Sequence, residues 1–248
     1  MTTQAINKTM GLLDKLMDHG ALGLEELHIL SQLPKPTVKR LLDDLVGLGW
    51  LYRHLGDRRY CLLKPMAGNE PEHRRRLLAQ RFAPLLRELH GSTGLCSDIA
   101  LDLGDGREVI ESNYGLSGAR LATRHLIGLR PNPQVSAIGR AYAARRVRKA
   151  GAQDRLRADL ECELRRGIHR RVPGIWEHSF PAPYDIRGVA VPILRNDTAI
   201  GALNLYWDAA RHGEIGMGDR YQAQLESAAA LIAGTVAGVD PGAGVAAS

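Results

Sequence analysis

The chain has 248 residues, 44% hydrophobic and 24% charged, with a net charge of +6. That balance excludes a disordered chain and leaves apolar material for sizeable cores. At about 150 residues per domain, one or two domains are expected. No apolar run reaches the ~18 residues of a membrane span, and the first residues lack the apolar centre of a secretion signal. Cys61, Cys96 and Cys162 are too scattered for a disulfide framework or a CxxC metal pair, so a reducing cytoplasm is the expected compartment. The positive charge is uneven: residues 1–70 carry 9 Lys/Arg against 8 Asp/Glu, residues 140–171 carry 11 against 4, and most of the rest is acidic. Basicity alone therefore locates no nucleic-acid surface.

In chain order, Ile6, Met10, Leu13, Leu16 and Met17 recur at helical spacing, and His19-Gly20 ends that helix. Leu24 to Ser31 reads as a short second helix. A third begins at Lys35-Pro36, where Pro is tolerated because first-turn N–H groups have no helical partner. Its apolar face is Val38, Leu41, Leu42, Leu45 and Leu48. Trp50 to Arg53 and Arg59 to Leu62 are β-type runs around a turn at Leu55 to Arg58. Lys64 to Glu72, rich in Pro and Gly, is the expected domain boundary. His73 to Gly91 is helical, with a kink or restart expected at Pro84.

From Leu95 the period changes to two. Ser97 to Leu103 alternates as a half-buried strand, Gly104-Asp105-Gly106 turns, and Glu108 to Ser112 returns. A strand over Leu121 to Ile127, a helix over Ala137 to Ala150 and a charged helix over Asp154 to Arg166 follow. Gly188 to Leu194 is apolar throughout, as in a strand covered on both faces. Ala199 to Trp207 pairs back, Met217 to Ala233 is the last helix, and a Gly/Ala-rich tail closes the chain. The fold class is α+β: a small helical reader joined by a helix to an antiparallel sheet with flanking helices.

Helix, tight break, helix and hairpin in this order suit a winged helix-turn-helix, whose second helix enters the DNA major groove. Lys35, Pro36, Thr37, Lys39 and Arg40 lie outside the apolar face of the third helix, in its N-terminal half. Arg53, Arg58 and Arg59 lie on the hairpin, where a wing meets DNA backbone or minor groove. The competing reading is a small helical domain with an ordinary charged face.

Leu30 to Leu42 resembles the recognition segment of the isocitrate-lyase-regulator (IclR) family, with Gln32 where that family carries Gly and Pro36 where it carries Ser or Thr. The resemblance continues through Arg87 to Gly94, Ser136 to Ala141, Val189 to Ile193 and Ile200 to Leu205, over nearly the whole chain; the subgroup regulating aromatic-compound breakdown looks nearest. It implies a winged helix-turn-helix over residues 1–66, a linker helix over 67–92, a GAF-like effector-binding domain over 93–236 and a flexible tail over 237–248. It also implies homodimers, or dimers of dimers, on double-stranded operator DNA. By matching positions, Ala137 and Ile138 line the effector pocket, Ile186 and Gly188 face them, and Arg120 and Thr123 precede them. A carboxylate effector needs cations or N–H donors in an apolar cleft; Arg120, Arg124 and the amides at Ala137 and Ile138 are the candidates. His178, Tyr184 and Asp185 are placed at the border, beside a loop over Val172 to Tyr184 that departs from the family.

Catalysis finds little support. Gly115-Leu116-Ser117-Gly118 lacks the spacing of a nucleophile elbow, there is no phosphate-binding loop, and no His pair has metalloprotease spacing. Neither a metal nor a cofactor is expected. Cys96 reads as a small buried hydrophobe. The basic run from Arg140 to Arg171 reads as a solvated helical face. The alternative to a regulator is a GAF-like small-molecule sensor or enzyme whose helical part binds protein rather than DNA.

Overall fold

A computed structural model of the chain describes residues 2–63, 70–104, 106–118, 126–146, 161–212 and 216–239. The N-terminal unit is α1 (Thr2–His19), α2 (Leu24–Ser31), α3 (Lys35–Gly47) and an antiparallel hairpin, β1 (Leu51–Arg53) with β2 (Tyr60–Leu62). Its core is a cluster of leucines from all three helices, with Val38 and Tyr60. The α1 face differs from the expected one: Leu12, Leu13 and Leu16 are buried, whereas Ile6, Met10 and Met17 point outward. In α3, Val38, Leu41, Leu42 and Leu45 are buried as their spacing demands, but Leu48 lies past the last turn and is 70% exposed.

The long α4 (Glu70–Thr93) runs through Pro84 without a break. The sheet that follows has five strands in the order β4-β3-β7-β6-β5, antiparallel throughout. They are β3 (Asp98–Asp102), β4 (Arg107–Ser112), β5 (His169–Arg170), β6 (Ile186–Arg195) and β7 (Thr198–Asp208). The short β5 was not foreseen. Helix α5 (Ala137–Arg146) lies on one face. A helical segment α6 spans 161–166, and α7 (Ala209–His212) and α8 (Met217–Ala237) complete the fold. Residues 121–125 of the strand expected over Leu121 to Ile127 lie outside the described ones, and Ile127-Gly128 is a turn. Most of the expected Asp154 to Arg166 helix and the tail also lie outside them.

Strand alternation divides the sheet faces. Ile99, Leu101, Val189, Val191, Ile193, Leu203, Leu205 and Trp207 share a core with Phe82 and Leu86 of α4 and with Leu225 and Ile232 of α8. On the other face, Ala100, Ala190 and Ala202 meet Ala137, Ile138 and Ala141 of α5. Small side chains there let the helix approach closely. Strand β6 is thus covered on both faces, which explains its unbroken apolar sequence.

Candidate functional site

Helices α2 and α3 are joined by Gln32-Leu33-Pro34, with Gln32 in the left-handed region at φ 57. That is a conformation glycine adopts without steric cost, and Gln32 holds it at the position where the resemblance leads one to expect glycine. Pro34 caps α3, and its carbonyl receives the N–H groups of Thr37 and Val38. Pro36 and Arg40 are exposed, and Thr37 is partly so. Lys35 is ion-paired with Glu25, and Lys39 with Asp43 one turn along. Both pairs are solvent-exposed, so each contributes little, about 0–1 kcal/mol, and can yield to a phosphate.

The hairpin arginines divide into different roles. Arg53 packs its guanidinium 5.2 Å from the Tyr60 ring centre and donates through Nε to the Arg58 carbonyl. Arg58 is exposed, with Nη2 donating to the Gly115 carbonyl at 2.8 Å. Arg59 corrects the expectation of a DNA-facing cation. It is 9% exposed, donates to the Ala21 carbonyl through Nε at 2.9 Å and Nη2 at 2.6 Å, and pairs with Glu26 at 3.0 Å. It braces the wing against the α1–α2 turn.

The wing is also docked on the sheet domain. Glu111 of β4 is fully buried and receives the Tyr52 hydroxyl, His54 Nδ1 at 3.0 Å and the Gly56 N–H at 3.3 Å. His54 Nε2 lies 3.5 Å from Cys61 Sγ. Burial opposes charge on His54, but the hydrogen bonds to Cys61 and Glu111 overcome it and raise the imidazole to about 10. The wing tip sits against the turn Tyr114–Leu116 so closely that a Cβ on Gly115 would lie 2.1 Å from the Leu55 carbonyl oxygen.

Beyond that turn a cavity of roughly 720 Å³, counting its open mouth, lies on the α5 face of the sheet. Four expected residues, Ala137, Ile138, Ile186 and Gly188, line it together, with His178. Arg120, Thr123 and Arg124 lie outside the described residues. The segment entering α5 folds back against Gly139, where a Cβ would fall 2.0 Å from the Asn132 carbonyl oxygen. The sequence did not single out the floor, Asp98, Asn204 and Tyr206, nor the aromatic walls, Tyr114 on one side and Trp176 and Phe180 on the other. The available signal was the polar half of the strand alternation, which faces the cavity rather than bulk solvent.

The loop wall is a cluster of rings: Trp176 meets His178 edge-on at 4.9 Å and Phe180 at 5.5 Å, and His178 stacks on Phe180 at 5.1 Å. Arg171 lies 5.4 Å from the Trp176 ring centre, donates to the Ile175 carbonyl and forms a bidentate pair with Glu177. Burial would raise the Glu177 carboxyl, but Arg171 holds it below its ordinary range. Burial lowers His178, so its ring is neutral at pH 7. On the floor, burial pushes the Asp98 carboxyl up to about 6.

A winged helix-turn-helix carried by a long helix on a sheet domain with an open cavity defines a DNA-binding regulator with a ligand-sized site. Residues 5–55 match the IclR helix-turn-helix domain. The N-terminal unit is thus a DNA-binding domain of IclR type. The IclR of Thermotoga maritima shares the fold at 16% identity and TM-score 0.50, with 94% of this chain and 99% of that one covered. The IclR regulator of Alicyclobacillus acidocaldarius is similar at 20% identity and TM-score 0.49, over 93% and 98%. An IclR homolog of Microbacterium hydrocarbonoxydans, solved with 4-hydroxybenzoate, is similar at 17% identity and TM-score 0.47, over 94% and 98%. No curated protein matches the chain in sequence. No described helix is long and apolar enough to cross a membrane.

Proposed function

We propose that the chain is an effector-responsive regulator of a small-molecule catabolic operon, with a small organic or aromatic acid as effector. Lys35, Pro36, Thr37, Lys39 and Arg40 of α3 read operator DNA, and Arg53 meets the backbone from the wing. A two-fold dimer in the cytoplasm sets two readers on a palindrome, and a dimer of dimers is its larger form. The first N–H groups of α5, at Ala137 and Ile138, have no helical partner and receive the effector's carboxylate; Arg120 and Arg124 remain candidate cations for it.

The observation that carries the response is a shared wall. Tyr114 and Leu126 line the cavity, while the adjacent Gly115 carbonyl holds Arg58 and Leu126 lies 3.2 Å from a Cβ built on Gly56 at the wing tip. A ligand that moves this wall moves the wing's seat, and Arg58 reaches DNA only when it leaves Gly115. The effector shifts the balance between docked and undocked wings only by binding the two unequally.

The test is binding of the full chain to duplex DNA flanking its own gene at several salt concentrations, beside a scrambled duplex and a Lys39→Ala, Arg40→Ala double variant. Sequence-selective, salt-dependent binding lost in the variant is expected. Equal binding to the scrambled duplex, or no change in the variant, refutes the reading.

A further inference from the structure

We infer that the cavity selects a ring compound that presents a hydrogen-bond donor, a hydroxyl or an ammonium, to Asp98. This rests on the reading of the cavity as an effector site and adds the chemistry of the ligand's far end.

The argument starts from what each polar group in the lining already does. Arg171 is committed: its charge is met by Glu177 and its remaining contacts are the Ile175 carbonyl and the Trp176 face. His178 is neutral at pH 7, as burial dictates. Asp98 differs. An ionised carboxylate accepts about four hydrogen bonds; Asp98 receives the Ser112 hydroxyl and, at the long end of the range, Tyr206 Oη at 3.3 Å and Asn204 Nδ2 at 3.5 Å, which leaves room for a further donor and no cation beside it. Tyr114, which also lines the cavity, has a buried hydroxyl with no partner among the described residues. Asp98 thus lines the cavity with acceptor capacity to spare, and the charge it brings is negative.

The walls say what carries the donor. Trp176, Phe180 and the neutral His178 ring form one side, and Tyr114, parallel to Tyr206 of the floor at 6.4 Å, the other. Such surfaces favour a planar ring or an organic cation over an aliphatic chain. A carboxylate pushed onto Asp98 meets like charge. An aromatic acid therefore fits in one orientation, its acid group at the start of α5 and its donor on the floor.

The experiment is isothermal titration of the full-length protein with benzoate, 3-hydroxybenzoate, 4-hydroxybenzoate and benzylamine. At least one donor-bearing probe should bind about 10- to 100-fold more tightly than benzoate, the range for a buried hydrogen bond to a charged acceptor. That ratio should fall to within about threefold in Asp98→Leu and to an intermediate value in Asp98→Asn, which retains an acceptor oxygen. A preference for hydroxybenzoates identifies a neutral donor, and a preference for benzylamine a cation. Benzoate binding as tightly as every donor-bearing probe, a ratio unchanged in Asp98→Leu, or no binding of any donor-bearing probe overturns the inference. Circular dichroism melts confirm that both variants fold; if Asp98→Leu does not, Asp98→Asn alone decides, and an unchanged ratio there overturns the inference. Duplex DNA binding by the ligand-free protein is run in parallel. Its failure removes the regulator reading and leaves donor selectivity standing, while lost selectivity with intact DNA binding removes only this inference.

Discussion

Glu111 is the residue whose removal tests most sharply whether the wing and the sheet domain are one folded unit. It has no exposed surface, and three donors from the wing converge on it: the Tyr52 hydroxyl, His54 Nδ1 and the Gly56 N–H. Glu111→Ala leaves a buried imidazolium and a buried phenol without their acceptor. Breaking one partner of a buried pair costs about 3–5 kcal/mol, a large share of the ~5–15 kcal/mol that holds a domain together. At roughly 2–4 °C per kcal/mol for a chain of this size, the melting temperature should fall by on the order of 10 °C. Glu111→Gln, which keeps an acceptor but loses the charge, should fall less.

The pH dependence follows from His54, which is raised from 6.5 to about 10. A base held above its unfolded value stabilises the fold fully below pH ~6.5, and this contribution is lost as pH rises through about 10. Asp57, itself raised mainly by burial, lies near the same imidazole. The wild type should therefore lose more stability between about pH 7 and 10 than His54→Gln does. Differential scanning calorimetry across pH reads both effects. A shift below about 2 °C for Glu111→Ala, or matching alkaline profiles for wild type and His54→Gln, would refute the view of Glu111 as the latch of the wing.

Gln32→Gly relieves a left-handed residue at φ 57 and should stabilise the N-terminal unit by about 0.5–1 kcal/mol, read as a raised denaturation midpoint at constant slope. Gly139→Ala drives a methyl to 2.0 Å from the Asn132 carbonyl oxygen, so α5 must move; a cost of about 1–3 kcal/mol or more is expected, together with weakened ligand binding by titration. Arg40→Ala, at an exposed residue of α3, should leave the melting temperature unchanged. If Arg40 contacts a phosphate, the logarithmic salt slope of DNA binding should fall by about 1.

The helical reader was legible because its signals are local. Val38, Leu41, Leu42 and Leu45 repeat within about two turns, and the packing confirms them as the buried face of α3. The same periodicity misjudged Ile6, Met10 and Met17 of α1, which are apolar yet exposed, since spacing shows that a stripe exists but not what covers its margins. Pro84 read as a kink, but the helix continues through it. Arg59 read as a cation for DNA because sequence shows charge and not partners; Ala21 and Glu26 claim it.

The sequence by itself determined the fold class, the order reader–linker–sheet, the twice-covered β6 and four residues of the cavity wall, because each is written in periodicity, turn chemistry or a short matched segment. Only the tertiary structure decided the floor and the latch. Asp98 and Asn204 stand 106 residues apart and meet only through the β3–β7 pairing. Glu111 looks like an ordinary strand carboxylate until the wing, more than 50 residues earlier, folds over it. Burial and partnership are properties of packing between distant segments, and a local pattern of polar and apolar residues records which face is polar without saying whether it meets water, a cavity or another domain.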